Sequence, residues 1–388
     1  MTIAREQLAA SEQFLITRAG RFVIAELRLP HLVMSTSVRN GGQRDRIRYL
    51  VNHQSCEPSK HQERHDYMVG MGLAAYHDVV CNELGLDPEL VAVMGTAANM
   101  NNVAIAQKTY EGLSVTAVVT GGVESNATCA GDPAAWRESA AGWSKRPEYS
   151  GTINTILLIG YPVTEGALAR AIITMAEGKS AALNRLAVRS RQSQDLATGT
   201  GTDQFCVAAP VTGEKPLTST SPHVVLGELI GSAVRDATLE TLRWQNGLEP
   251  SYTRSFFHAL RPYGIREETV WDQLQPVMSE REVELLKANS QAVFRDPSIA
   301  ASAYALAAVL DRSRYGALSL SAGRTALTAQ AATLATELAV RPELWPAFYA
   351  ELTALECTSP EQMIVRAIGL GWSAKWTGKS NPATTSQC

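Results

Sequence analysis

The chain has 388 residues, long enough for two domains that each bury a core of their own. Apolar residues make up 45% and charged residues 19%, with a net charge of −3, a balance that argues against a disordered chain and against a surface built to hold nucleic acid. No stretch approaches the roughly 20 uninterrupted apolar residues of a membrane helix, and the opening MTIAREQLAASEQ lacks the apolar core of a signal peptide, so the expected location is cytoplasmic. The scattered cysteines, Cys56, Cys81, Cys129, Cys206, Cys357 and Cys388, form no CxxC pair and read as reduced, mostly buried thiols.

Residues 13 to 37 alternate the short apolar runs QFLITRAG, RFVIAELRLP and HLVMSTS with turn residues, which predicts two or three strands of a meander or hairpin. Asn40-Gly41-Gly42 is a strong turn signal. Beyond it lie a polar stretch holding His53, His61 and His65, and then GMGLAAYHDVVCNELG, a helix closed by Gly85. SVTAVVT is a strand that runs into Gly121-Gly122. TINTILLIGYP has the continuous apolar character of a buried strand, after which Thr164 caps a helix to about Val188. The loop ATGTGTD leads into the strand QFCVAAP, and Pro222 to about Trp244 is again helical. From about residue 248 helical patterns take over, as in EETVWDQLQPVMSEREVELLKANS, AASAYALAAVLDRS and TALTAQAATLATELAV, and KWTGKSNPATTSQC is a polar tail. The expected fold is α+β over residues 1–248, followed by an all-helical domain over 249–388.

No GxSxG, HExxH, P-loop or strand-borne GxGxxG occurs. Small-residue and hydroxyl-rich loops stand at strand ends instead, TGGVESNATCAGD, GTIN and ATGTGTD, where backbone can approach a ligand. In strand 152–159 alternate side chains share a face, so Thr152 and Asn154 stand about 7 Å apart and one ligand can touch both; alternatively both only satisfy turn backbone. On the following helix Leu168, Ile172, Met175, Lys179, Leu183 and Leu186 form one stripe, which puts Lys179 in the apolar face. It either snorkels past its neighbours or points into a site as a base. Glu177 falls on the opposite, solvated face, and Gly178 weakens the helix locally by up to about 1 kcal/mol relative to alanine. ATGTGTD brings hydroxyls and successive glycines together before a strand, a geometry for N–H donors facing an anion or carbonyl. Asp203 at its end orients a base, receives an ammonium leaving group, or merely caps a tight turn. His61 and His65, four apart, with His53, Glu57, Glu63 and Asp66 nearby, would suit a metal on a helix, but such polar loops are common and the expectation is no metal.

The segments NGG at 40–42, TGGVESNA through AGD at 120–132, GTINTILL at 151–158, ITMAEGKSAAL, ATGTGTD at 197–203 and SPHVVLGELIGSAV occur in the order found in the adenosylcobinamide amidohydrolase (CbiZ) family. Over residues 12 to 245 the chain resembles that family. The resemblance implies hydrolysis of the amide between the corrin ring's propionate and aminopropanol, giving adenosylcobyric acid and 1-aminopropan-2-ol. The corrinoid is then the substrate and no cofactor is expected; the alternative is a non-catalytic corrinoid-binding or transport-accessory protein. Taken with the residue reading, it puts Thr152, Asn154, Lys179 and Asp203 in catalysis. Asn40, Gly121, Gly122, Asn126, Asp132, Thr198, Thr200, Thr202 and His223 are placed at the substrate, and homo-oligomerisation is left open.

More distantly, GTINTILLI followed by a helix and TGTGTD is similar to the β-aminopeptidase and ornithine acetyltransferase group, whose nucleophilic Ser or Thr follows a glycine and is exposed by self-cleavage. Thr152 is the matching position, and the likeness suggests a layered αββα sandwich. An internal threonine hydroxyl needs an adjacent base, either Lys179 or, after a break before Thr152, its own α-amino group. Both routes stay open, with the intact chain favoured.

Overall fold

The computed structural model describes residues 4–56, 61–134, 136–139, 142–145, 151–355 and 359–376. The chain divides into two compact units, Met1–Leu248 and Glu249–Cys388. In chain order the first holds β1 (Glu6–Ala10), β2 (Phe14–Ala19), β3 (Phe22–Leu27), β4 (His31–Ser35), β5 (Gly42–Arg44), β6 (Tyr49–Gln54), α1 (His61–Met71), α2 (Leu73–Leu84), β7 (Val91–Thr96), β8 (Ala104–Tyr110) and β9 (Leu113–Gly122). It continues with β10 (Ala127–Thr128), β11 (Trp136–Ser139), β12 (Gly142–Lys145), β13 (Thr152–Ile159), α3 (Glu165–Arg185), β14 (Gly199–Thr200), β15 (Gln204–Pro210) and α4 (Val225–Asn246).

Two large sheets result, ordered β1-β2-β3-β6-β7 and β5-β4-β15-β13-β9-β8. β2 and β3 pair as the hairpin expected from their turn residues, but β4 leaves them and joins the other sheet, between β5 and β15. Its main partner lies far along the chain, so this pairing is long-range and a local pattern does not reveal it. Strand β13 is buried along its whole length, because it is covered on both faces, and such a strand reads as a near-continuous apolar run.

The faces of these strands sort the core into layers. Val115, Ala117 and Val119 of β9, Ile153 and Leu157 of β13 and Val207 of β15 pack with Leu168, Ala171, Ile230 and Val234 of α3 and α4. Val118, Ile156, Leu158 and Cys206 face the opposite way and pack with Ile16, Val23, Leu50 and Met94 of the five-stranded sheet. The outer face of that sheet carries Phe22, Ile24 and Val51 against Val80 and Cys81 of α2. The order of layers is therefore helices, sheet, sheet, helix, an αββα sandwich.

Helix α3 starts where Thr164 accepts a hydrogen bond from the Ala167 N–H (3.2 Å), and α2 ends at Gly85 with φ 67°. α3 stops at Arg185, short of Val188, as the chain turns through Ala187 at φ 50°. Gly178 has a packing role that its low helix propensity hides: a Cβ there would lie 2.7 Å from the Gly231 carbonyl oxygen of α4. The two helices cross where neither has a side chain to keep them apart.

The second unit is helical: α5 (Pro250–Thr253), α6 (Phe256–Leu260), α7 (Val270–Leu274), α8 (Glu280–Ala288), α9 (Ser290–Phe294), α10 (Pro297–Arg314), α11 (Leu320–Ala339), α12 (Trp345–Ala354) and α13 (Pro360–Ala374). Phe256, Phe294, Leu306, Leu334, Ile368 and Trp372 belong to its own core. Among the described residues no helix is long and apolar enough to cross a membrane.

Candidate functional site

β13 runs parallel to β15 and antiparallel to β9, so the starts of β13 and β15 lie beside the end of β9. The α3 crossover returns to the same level. At about 1.5 Å per residue, Glu165 to Lys179 spans roughly 20 Å, close to the roughly 25 Å of the eight-residue strand β13. Lys179 is thereby brought back to the beginning of the strand that precedes its helix. The short ladder of β10 with β14, Ala127 opposite Thr200 and Thr128 opposite Gly199, ties the loop after β9 to the loop before β15.

Asp203 is the hub of this end. Its Oδ1 accepts from the Ile153 N–H at 2.9 Å and the Thr200 hydroxyl at 2.5 Å; its Oδ2 accepts from the Thr200 N–H at 3.0 Å and from Lys179 Nζ. Both members of the ion pair are 17% exposed, so the charge is partly withdrawn from water and held by directed donors. Gly199 passes over the pair, where a Cβ would clash with Asp203 Oδ2 and stand 2.7 Å from Lys179 Nζ.

Thr152 opens β13 and is buried, and its hydroxyl meets that of Thr202. Thr202 is exposed and donates to the Gly151 carbonyl oxygen at 2.7 Å. Because a hydroxyl has one proton, Thr152 is left as the donor between the two threonines. Buried Asn126 donates through Nδ2 to the same Gly151 oxygen, also at 2.7 Å. Gly151 has φ +146°, and a Cβ on it would lie 2.9 Å from the Gly122 carbonyl oxygen.

The other expected residues fall around this core or away from it. Asn154 shares the inter-sheet side of β13 with Thr152, but it is fully buried and its Nδ2 donates to Asn52 Oδ1 at 2.9 Å and the Gly95 carbonyl at 3.0 Å. It ties the two sheets together. Gly121 and Gly122 pair with Ile153 and Thr152, and a Cβ on Gly121 would press on Leu242 at 3.3 Å. The Thr198 hydroxyl accepts from the Ala130 N–H at 2.9 Å. Asp132 accepts from the Cys129 N–H at 2.7 Å and from the Thr128 and Ser190 hydroxyls. Burial acts to raise its carboxyl, but hydrogen bonds from Ser190, Ser193, Cys129 and Thr128 hold it below the usual carboxylate value. Asn40 is committed elsewhere, donating to the Pro88 and Val91 carbonyls at 2.8 and 2.9 Å. His223 is exposed just before α4.

His53 lies in strand β6 and not in a polar loop, buried and stacked on Phe22 with ring centroids 4.6 Å apart. His61 and His65 are on helix α1, but their side chains, like all of Glu57, lie outside the described residues. Among the described residues no group of three or more His, Cys, Asp or Glu is arranged to hold a metal ion. Cys56, Cys81 and Cys206 are buried; burial pushes Cys81 up to about 11 and Cys206 up to about 12, which keeps both protonated and inert at neutral pH. Cys357 and Cys388 lie outside the described residues.

Sequence reasoning missed Asn52 and the part played by the Gly151 carbonyl. The signal for Asn52 was an amide inside the apolar strand YLVNHQ, where a polar group needs a partner; Asn52 also donates to Thr120 at 2.7 Å. The carbonyl carries no sequence signal beyond the glycine that presents it.

The family model described as adenosylcobinamide amidohydrolase (CbiZ) matches residues 7–250. The uncharacterised protein MJ1613 of Methanocaldococcus jannaschii is 32% identical over 236 residues, covering 58% of this chain and 88% of that protein. Among solved structures, the PH0078 protein from Pyrococcus horikoshii OT3 matches at 14% identity and a TM-score of 0.30, over 62% of this chain and 83% of that one, a score from which nothing is carried over.

Proposed function

The chain belongs to the adenosylcobinamide amidohydrolase family, and from that premise we propose that it hydrolyses the amide joining a corrinoid propionate to aminopropanol. One water is consumed, and adenosylcobyric acid and 1-aminopropan-2-ol are released. The observation that carries the reading is the convergence of Thr152, Thr202, Asn126, Asp203 and Lys179 at one end of the central strand.

Hydrolysis of an unactivated amide needs a nucleophile, donors for the oxygen that becomes negative, and a proton for the departing amine. Thr152 supplies the hydroxyl. Lys179, fixed by Asp203, supplies positive charge and a proton on the helix side, while Thr198, Thr200 and Thr202 border the loop across which the corrinoid side chain enters. The reading uses no cofactor, so extensive chelation is expected to leave turnover intact; loss of turnover restored by zinc would bring in His61 and His65.

Thr152→Ala tests the chemistry. A folded variant that binds cobinamide and hydrolyses none supports attack by Thr152. Near-normal turnover would mean that water attacks directly and that Thr152 is structural.

A further inference from the structure

The helical unit carries a cleft of its own, beyond the residues that the family model matches. It encloses about 530 Å³ including its mouth, within the roughly 300–1,000 Å³ of small-molecule sites. Its lining has two parts. Aromatic rings make up one: Phe257 of α6 and Phe294 of α9 pack with centroids 4.7 Å apart, and Tyr252 of α5 meets His258 edge-on at 5.4 Å. The other is a polar rim in which guanidinium groups outnumber carboxylates, Arg261, Arg266 and Arg295 against Glu267 and Glu268.

The rim is ordered by its own contacts. Arg261 Nη2 donates to Glu268 at 3.0 Å. Gln291 donates to Glu267 at 3.3 Å and accepts from Arg295 Nε at 2.7 Å, while Arg295 Nη1 donates to the Ser251 carbonyl at 2.6 Å. Arg266 differs from the other two. Its backbone is fixed: the Gly264 carbonyl accepts from Gln273 at 3.3 Å, Ile265 is buried, and the Arg266 carbonyl accepts from the Thr269 and Val270 N–H groups at 3.1 and 2.9 Å. Its side chain is exposed, and among the described residues its guanidinium has no hydrogen-bond or ion-pair partner. The rim thus keeps one guanidinium in excess, on a held backbone beside an aromatic wall. A guanidinium has donors in a planar fork and no acceptor, so it complements an acid group; the wall complements a ring.

From these observations we infer that the helical unit binds a small organic anion carrying a ring, whose carboxylate or phosphate pairs with Arg266 and whose ring lies against Phe257 and Phe294. Either acid group can accept two parallel hydrogen bonds from the fork, and burial of the ring selects such a ligand over a bare inorganic anion. The inference does not rest on the proposed amide hydrolysis, because none of these residues belongs to the unit that holds Thr152.

Isothermal titration of the full chain tests it, with benzoate and phenyl phosphate as probes and acetate, inorganic phosphate and benzylamine as controls. At least one of the ring-bearing acids should bind, one per chain and at least about tenfold tighter than acetate or inorganic phosphate; the tighter of the two identifies the acid group. Benzylamine, a ring with the opposite charge, should not bind. Arg266→Glu, its fold checked by circular dichroism, should weaken binding at least about tenfold. Arg170→Glu, the same charge change on the exposed face of α3, should leave it unchanged. No saturable binding of either acid overturns the inference, as does binding that the two variants weaken equally or that inorganic phosphate matches.

Discussion

Lys179 sits where an apolar stripe would otherwise continue, and the carboxylate it meets comes from a loop before another strand. The helical period was enough to put Lys179 in the buried face, but its partner was not legible, because a parallel crossover brings Asp203 to it and no local pattern records that. Lys179→Met should retain the fold, since Asp203 keeps the Ile153 and Thr200 donors. It should lose stability on the order of 1–3 kcal/mol, between the costs of breaking an exposed and a buried pair. Turnover should fall at least about tenfold, or about 1.4 kcal/mol of transition-state stabilisation. Unchanged turnover would remove Lys179 from the site. Asp132 makes a different prediction. Its folded carboxyl titrates below the usual value, so the stability it adds is fully present above that usual value and is lost as pH falls through the lowered one. Asp132→Asn should flatten the acid side of a plot of melting temperature against pH; identical acid limbs would show that the loop staple contributes nothing.

Element boundaries were legible where the signal is local. Thr164 accepts the hydrogen bond of a helix cap and Gly85 takes the left-handed conformation that ends α2. The partner of β4 was not, because sheet order is set by long-range pairing, and His53 was read as part of a polar loop although it belongs to a buried strand. Gly178 shows two effects in competition. Alanine there would raise helix propensity by about 1 kcal/mol, yet its Cβ would lie 2.7 Å from the Gly231 carbonyl, and overpacking of this kind costs about 1–3 kcal/mol. The clash should win, so Gly178→Ala should lower the denaturation midpoint. A raised midpoint would mean that the α3–α4 crossing relaxes at little cost.

At the scale of the whole molecule, each unit has its own core: Ile153, Leu157, Val234 and Leu242 among the residues of the first, Phe256, Phe294 and Trp372 among those of the second. A chain ending at Leu248 should therefore fold cooperatively by itself, as judged by a single denaturation transition; an unfolded or insoluble product would show that residues 249–388 are needed for the first core. The α+β class was legible from the order of strands and helices and the layered sandwich only from the distant likeness, whereas the layer each strand occupies depends on pairings that only the folded chain displays. The reaction proposed for the end of the sheet where β13 begins, hydrolysis of a corrinoid amide, is tested by incubating the full chain with adenosylcobinamide and quantifying free 1-aminopropan-2-ol together with the corrinoid product. The account predicts equal amounts of aminopropanol and adenosylcobyric acid, both absent with Thr152→Ala. Bound but unchanged adenosylcobinamide would contradict it and leave a corrinoid-binding protein in its place.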